Sequence, residues 1–559
     1  MPWLADLGRF FLRRLARPMG YLLRRRVRKF ERVCRHPEIV QRDLLMAILR
    51  RQADTAYGRD HRFREIASID DYRRQIAIGP YESLKPYVDR VAAGETNALI
   101  ANGPVRLLAL TSGTTMARKL IPVTDDFLSA YRSGWNMWGA QLFRDHRPRR
   151  LFARPIVQMV GEPVEFHTEA GVPCGNMSGY TAMVQKRIVK RFYALPHQTG
   201  SIKDPKAKYY TALRLSIGRP CSLFLAANPS TLIALGRTLG ERADELLKDL
   251  HDGTLRGDLD VPGPVREVIA PRLKADPKRA RELSAILSKT GSLKPSDVWP
   301  SETILIGCWT GGSMGPYLRQ LPEYFGEVPI RDLGLIASEG RFSIPFADGT
   351  PSGVLDISAN YYEFIPEREI DSAQPTVLGA HELSEGGVYS ILPTTSSGLY
   401  RYLISDLVRV TGFLGRTPLI EFLSKGSRFS NLTGEKLSEH HVTKAFDAVS
   451  DRLGVRLQAA YAVAPVWDDR RPFYVLVLES RDGTRPESFL ADLDLELRRQ
   501  NDEYEAKRQS DRLGPIRLKT VRDGFWHDWD RETLAARGGS PEQFKHPCLI
   551  GDLKFASSL

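Results

Sequence analysis

Leu110-Thr111-Ser112-Gly113-Thr114-Thr115-Met116-Ala117-Arg118-Lys119-Leu120-Ile121-Pro122 packs hydroxyls, a glycine and a lysine between two apolar runs. Val105–Leu110 reads as a strand, and Phe127 onward reads as the start of a helix. A strand that runs into a short Gly/Ser/Thr loop presents backbone N–H groups and hydroxyls in one direction. With Lys119 beside them, Thr111, Ser112, Gly113, Thr114 and Thr115 form a candidate cradle for a polyphosphate. A plain Ser/Thr-rich turn uses the same residue types, so the reading depends on what lies downstream.

A chain of 559 residues is too long for one ordinary core, and two or more domains are expected. Its hydrophobic content of 42% and charged content of 26% exclude disordered, fibrous and membrane-embedded classes. The cysteines Cys34, Cys174, Cys221, Cys308 and Cys548 lie far apart and form no CxxC pair. That argues against a zinc knuckle or a disulfide framework and fits a reducing, cytoplasmic setting.

Of the net charge of +13, nine units fall in residues 1–35, where Arg24-Arg25-Arg26, Arg28 and Lys29 interleave with Phe10, Phe11, Leu22 and Leu23. The apolar runs there are too short and interrupted for a transmembrane span or signal peptide. Three uses fit this basic extension (1–37): a solvated helix docked on its own domain, peripheral contact with anionic membrane, or contact with nucleic acid. No aromatic-basic platform or nucleic-acid fold follows, so no nucleic-acid partner is expected.

Residues 38–95 read as helical, with turns at Tyr57-Gly58 and Gly79-Pro80, and 105–240 alternate short strands and helices as in an α/β domain. A charged helical stretch over about 240–290 precedes apolar strands at Thr303–Cys308 and Pro329–Ala337. Gly353–Phe422 is β-rich. Beyond it come a helix on Val442, Phe446, Val449 and Leu453, strands at Leu457–Val463 and Phe473–Leu478, a helix on Phe489, Leu493 and Leu497, and a strand at Ile516–Val521. The expected fold is therefore mixed α/β, with a large domain over 1–425 and a small α+β domain over 426–559. The polar run Ser424-Lys425-Gly426-Ser427-Arg428 marks the boundary.

Three further segments carry candidate chemistry. Asp332 to Gly340 ends an apolar strand in Ser338-Glu339-Gly340, putting a hard oxygen ligand at a strand terminus. It could ligate Mg²⁺ or be an ordinary loop acid. Upstream, Thr310-Gly311-Gly312 follows another strand and gives a backbone that a substrate can approach closely. In Tyr400-Arg401-Tyr402-Leu403-Ile404-Ser405-Asp406, the acid sits among apolar residues and needs a partner, either a ribose diol or a neighbouring arginine. Gly434-Glu435-Lys436 and, much later, Gln543-Phe544-Lys545-His546-Pro547 complete the set. Lys545 lies near the C-terminus of the small domain, so only rotation of that domain is expected to bring it to the others. His440-His441 reads as structural, and Cys308 as a buried strand residue. No Walker A, HExxH or GxGxxG pattern occurs.

Taken together and in this order, these motifs resemble the Gretchen Hagen (auxin-responsive) family of acyl-acid amido synthetases, within the adenylate-forming superfamily. Tyr81–Tyr87, Tyr361–Pro366 and Pro515–Phe525 agree, and the similarity spans residues 38–552. The resemblance implies an adenylate-forming architecture with a β-barrel-like part in the large domain and a mobile small domain.

It also implies ATP and Mg²⁺, with a small carboxylic acid and an amine, an amino acid, as partners, in a monomer. By the same resemblance Thr111–Lys119 would grip ATP phosphates, with Ser338, Phe413 and Lys425 also contributing to the nucleotide site. Glu339 would hold Mg²⁺, Asp406 the ribose, and Lys545 would neutralise charge during adenylation. Thr310, Gly311, Gly312 and Tyr180 would face the acid. Met116 replaces a common glycine, Leu335 a tyrosine that stacks on adenine, and Ser424–Ser427 a Gly-Arg-x-Asp hinge. Two rival readings are a ligase that transfers to a thiol such as coenzyme A, and a non-catalytic membrane-associated relative.

Overall fold

The computed structural model describes residues 25–101, 103–111, 119–146, 154–370, 372–425, 429–430, 432–433, 435, 437–468, 471–482, 488–510, 512–537 and 544–559. Ser112–Arg118, and with them Ser112, Gly113, Thr114, Thr115 and Met116, lie outside the described residues. So do residues 1–24 and Gly426–Arg428.

Strands β1 (Leu107–Leu110) and β2 (Leu120–Val123) flank the Ser/Thr loop, and Thr124 caps the helix Asp125–Asp145 through its hydroxyl. Next come β3 (Ile156–Gln158), β4 (Phe166–His167), β5 (Pro173–Gly175), β6 (Leu223–Leu225), β7 (Leu305–Gly307) and β8 (Ile330–Arg331). They sort into two sheets. One has the order β2-β1-β5-β4, with β1 antiparallel to β2 and parallel to β5. The other, β3-β6-β7-β8, is parallel throughout. Helices Pro205–Ser216 and Pro229–Glu241 supply buried leucines and alanines to the core of the parallel sheet, as a buried parallel sheet requires. The charged stretch expected over 240–290 is helical, at Ala243–Asp252, Gly263–Ile269 and Pro277–Thr290.

A hairpin of β9 (Ile336–Ala337) and β10 (Gly340–Arg341) turns at Ser338-Glu339. It leads into β11 (Ser343–Ile344), β12 (Gly353–Leu355), β13 (Tyr361–Pro366), β14 (Leu378–Gly379), β15 (Val388–Thr394), β16 (Asp406–Leu414) and β17 (Thr417–Lys425). These seven form one antiparallel sheet of order β11-β12-β17-β16-β15-β13-β14. The expected barrel-like part is thus an open sheet. Its terminal strands β11 and β14 do not pair, and its inner face joins the β1–β5 sheet in one core.

A separate core forms after β17, around β18 (Phe429–Ser430), β19 (Leu437–Ser438), β20 (Ala462–Val466), β21 (Phe473–Glu479) and β22 (Arg517–Val521), with helices Glu439–Leu453 and Phe489–Gln500. The helix-strand-strand-helix-strand order matches the sequence reading, with helices Asp502–Gln509 and Phe525–Arg537 added. The strand expected from Leu457 starts only at Ala462, because the Gln458 and Ala459 amides donate to the Asp482 carboxylate at 2.6 and 3.1 Å and hold a loop. Residues 25–33 form a helix that buries Val27 and Phe30, and the Cys34 carbonyl after it accepts from Arg416 N at 2.9 Å and Thr417 Oγ1 at 3.0 Å. The described end of the basic extension is therefore docked on the chain's own sheet. Among the described residues no helix is long and apolar enough to cross a membrane.

One buried ion network holds the strand-to-strand loop ahead of β16. Glu363 on β13 is fully buried and accepts from Arg73 Nε at 2.9 Å and Arg401 Nε at 2.8 Å. Arg401 also donates to the carbonyls of Arg73 at 3.0 Å and Ile76 at 2.7 Å. Removing one member of such a network strands a buried charge, so Glu363→Ala should lose ~3–5 kcal/mol of stability in urea unfolding. A loss under about 1 kcal/mol would show that the network is not holding the loop.

Candidate active site

The parallel sheet dictates where the polar groups gather, because its chain direction brings three strand ends to one edge. Beyond β6 lies Asn228, beyond β7 lie Cys308, Trp309 and Thr310, and beyond β8 lies Asp332. Asp332 is buried and accepts from Thr310 N at 2.5 Å, Thr310 Oγ1 at 2.8 Å and Gly334 N at 2.5 Å. Burial pushes its carboxyl up to about 6, against the lowering effect of the Gly334 and Thr310 donors and of the Lys545 charge. Lys545 thus reaches this edge from the far end of the chain. Its ammonium lies 4.3 Å from the ring centres of both Trp309 and Phe422, and the carbonyl of the preceding Phe544 accepts from Asn228 Nδ2 at 2.6 Å.

A second group forms where β1 ends. Ser338 Oγ donates to the Leu110 carbonyl at 3.0 Å, which ties the Ser338-Glu339 turn to the start of the Ser/Thr loop. At the loop's other end Lys119 Nζ donates to Tyr402 Oη at 3.2 Å and lies 5.5 Å from the centre of the Tyr81 ring. Thr111 N donates to the Lys119 carbonyl at 3.2 Å, closing the loop's base. Glu339 and Asp406 are both buried. Burial first, and then the charges of Glu339 and Asp406, push the Tyr402 phenol well above its ordinary range, so it remains a neutral hydroxyl. Burial likewise raises Tyr81 to about 12. Tyr402 therefore stands between a lysine and two carboxylates.

The backbone explains this convergence. Arg401 and Ser405 take left-handed conformations, at φ 43° and φ 61°, which bend the segment around Tyr402. Gly79 pins the same bend, donating to the Arg401 carbonyl at 3.3 Å and accepting from Leu403 N at 2.8 Å. The Arg401 guanidinium donates to Glu363 and to the Arg73 and Ile76 carbonyls. The backbone of Lys425 pairs with that of Asp406 across β16–β17.

Several candidates fall elsewhere. Phe413 is exposed near the hairpin end of β16, seven residues from Asp406, which along an extended strand is ~23 Å. Tyr180 is buried in the helix Met177–Met183, and the charges acting on it are Arg106, Asp125 and Arg132 rather than those around Tyr402. At Gly311 and Gly312 the close approach is to protein. A Cβ on Gly311 would lie 3.0 Å from Pro351 and 3.1 Å from the Phe422 carbonyl, and one on Gly312 would lie 3.2 Å from the Phe422 ring. Leu335 is packed into the core.

His441 is structural, as the sequence suggests. Burial lowers it to about 4, and its Nδ1 accepts the Ser438 N–H at 3.1 Å as part of a helix cap. Cys308 is fully buried. The sequence reading missed Trp309, Phe422 and Tyr81 as the rings beside the site's two lysines. Their only signal was an aromatic ring beside a motif residue.

The chain belongs to the GH3 family: it matches the GH3 family N-terminal domain over residues 26–330, the central domain over 353–425 and the C-terminal domain over 440–554. It is 24% identical to a jasmonoyl–L-amino acid synthetase (JAR6) of Nicotiana attenuata, over 94% of this chain and 93% of that one. It is also 24% identical to the indole-3-acetic acid-amido synthetase GH3.3 of Arabidopsis thaliana, over 94% and 91%. The solved AtGH3.15 acyl acid amido synthetase in complex with 2,4-DB superposes with a TM-score of 0.82 at 21% identity, covering 96% of this chain and 95% of that one.

Folding raises the Asp332 carboxyl from its ordinary 3.8 to about 6, so the folded chain holds this proton more tightly than the unfolded chain between those values. The group's contribution is greatest with the carboxyl protonated and is lost as pH rises through about 6. Asp332→Asn should therefore gain stability relative to the parent as pH rises from below about 3.8 to above about 6, by up to ~3 kcal/mol in paired urea titrations. A difference that stays flat with pH would refute the raised value.

Proposed function

We propose that this chain is an ATP- and Mg²⁺-dependent acyl-acid amido synthetase. In this reading a carboxylate oxygen attacks the α-phosphorus of ATP, the bond to pyrophosphate breaks, and an acyl-adenylate forms. The amine of an amino acid then attacks the acyl carbon, AMP leaves, and an amide remains. The observation that carries the reading is the arrival of Lys545 at the Thr310–Asp332 strand ends, while the Ser338-Glu339 turn is tied to the base of the Ser/Thr loop. The names of the jasmonoyl–L-amino acid and indole-3-acetic acid-amido relatives support an amino acid as the acceptor.

Each residue answers a physical need of that chemistry. Carboxylate and α-phosphate are both anions, so attack requires compensating cations, and Lys119 and Lys545 supply them from the two sides of the site. Tyr402, kept neutral, holds the Lys119 ammonium in place as an acceptor. Asp406, buried at the start of β16, would accept from ribose hydroxyls. Among the described residues no group of three or more His, Cys, Asp and Glu side chains could hold a metal ion. Glu339, a buried hard oxygen donor at a strand end, fits an ion that takes most of its ligands from phosphate oxygens and water, as Mg²⁺ does. When bound, that ion supplies positive charge to the phosphates.

We further propose that residues 1–425 hold nucleotide and acid while 426–559 close over them and exclude water. The protein would act as a monomer. The five cysteines, all free and buried, suit a reducing compartment such as the cytoplasm.

With a broad panel of carboxylic acids, at least one should drive acid-dependent pyrophosphate release, and adding amino acids should yield the amide by mass spectrometry. Lys545→Ala should slow that release by about 100-fold. A panel without any release, or a thioester product with coenzyme A in place of an amide, would refute the reading.

A further inference from the structure

We propose that Trp309 and Phe422 form an aromatic slot that captures the Lys545 ammonium and so latches the C-terminal segment onto the strand ends. This rests on the reading above for its consequence in the reaction, and on geometry alone for the latch. The ammonium lies 4.3 Å from the centre of each ring, close enough for both π faces to attract it. Both rings are half-buried and belong to the large unit, whereas Lys545 comes from the last segment of the chain. The slot therefore joins two parts that covalent connectivity leaves far apart.

Each wall is positioned by specific contacts. Trp309 N donates to the Ala227 carbonyl at 2.9 Å and its indole Nε1 donates to the Gly334 carbonyl at 3.2 Å, which fixes the ring plane. Phe422 projects from β17, opposite Val408 in register, and packs against the Gly311-Gly312 loop. Gly312 has φ 63°, and a side chain there would press on the Phe422 ring, so the glycine pair shapes the slot. The Asp332 carboxylate adds attraction from the floor, and the Asn228 bond to the Phe544 carbonyl fixes the backbone beside the lysine. Trp309 and Phe422 act through Lys545, which makes them positioning residues.

The slot selects for charge and shape together. An ammonium in water would keep its hydration shell, and the paired ring faces and Asp332 help to offset its loss. In the reaction, the latch would matter for acyl-adenylate formation, where Lys545 must sit at the anionic centre. Amine attack on an adenylate already formed does not need that cation in place.

Two measurements test this on the full-length chain. Hydrogen–deuterium exchange of the Phe544, Lys545 and His546 amides, without any substrate, reads the latch. Trp309→Leu, Phe422→Leu and the nearly isosteric but uncharged Lys545→Met should each raise that exchange about tenfold, while amides of β20 and β21 stay protected and so report intact folding. Trp309→Phe should restore protection.

In the second measurement, Trp309→Leu should slow acid-dependent pyrophosphate release about tenfold, yet leave amide formation from a synthetic acyl-adenylate within about twofold of the parent. Unchanged exchange in Lys545→Met or in Trp309→Leu overturns the latch, and so does an equal loss in both half-reactions. If no acid gives pyrophosphate release, the proposed reaction fails, and the exchange measurement still decides the latch.

Discussion

A carboxylate with no exposure to water, clamped between two guanidiniums, sets the geometry of half of this site. Glu363 sits on β13, next to the edge strand β14 of the seven-stranded sheet, and Arg73 and Arg401 each donate to one of its two oxygens. Taking three charges from water is costly, and further bonds offset part of that cost: Arg401 Nη1 donates to the Arg73 and Ile76 carbonyls. The network does more than hold two segments together. It keeps Arg401 in a left-handed backbone conformation, from which Tyr402 turns toward Lys119 and the chain re-enters β16 at Asp406. Each such residue costs of order 1–3 kcal/mol, and it persists only where surrounding contacts enforce it.

The other half of the site depends on chain direction. Because β6, β7 and β8 run parallel, their ends bring Asn228, Trp309, Thr310 and Asp332 to one edge, and the Asp332–Glu339 segment links that edge to the end of β1. The two halves therefore share one continuous stretch of backbone. Lys545 meets the edge through two aromatic faces and the attraction of the buried Asp332 carboxylate.

Local chemistry made much of this legible in advance. The apolar run ending in Ser338-Glu339, the isolated acid Asp406 and the strand-loop at Leu110–Lys119 each announce a polar group at a strand end, and the structure joins the first and third through Ser338 and the Leu110 carbonyl. Proximity along the chain is a poor guide to proximity in space within a strand, which is why Phe413 lies far from Asp406. Glycines next to a motif were read as room for a ligand, whereas Gly311 and Gly312 make room for Phe422. The aromatic slot and the Glu363 network were invisible, since both depend on pairings more than a hundred residues apart or across sheets whose order no local pattern encodes.

The central claim is that the carboxyl oxygen of the acid becomes bonded to the α-phosphorus before an amine displaces it. An acid labelled with ¹⁸O in both carboxyl positions tests this directly, with any panel acid that supports turnover in the presence of an amino acid. The account predicts one labelled oxygen in the AMP released and the other in the amide. Label in inorganic phosphate, or none in AMP, would contradict it.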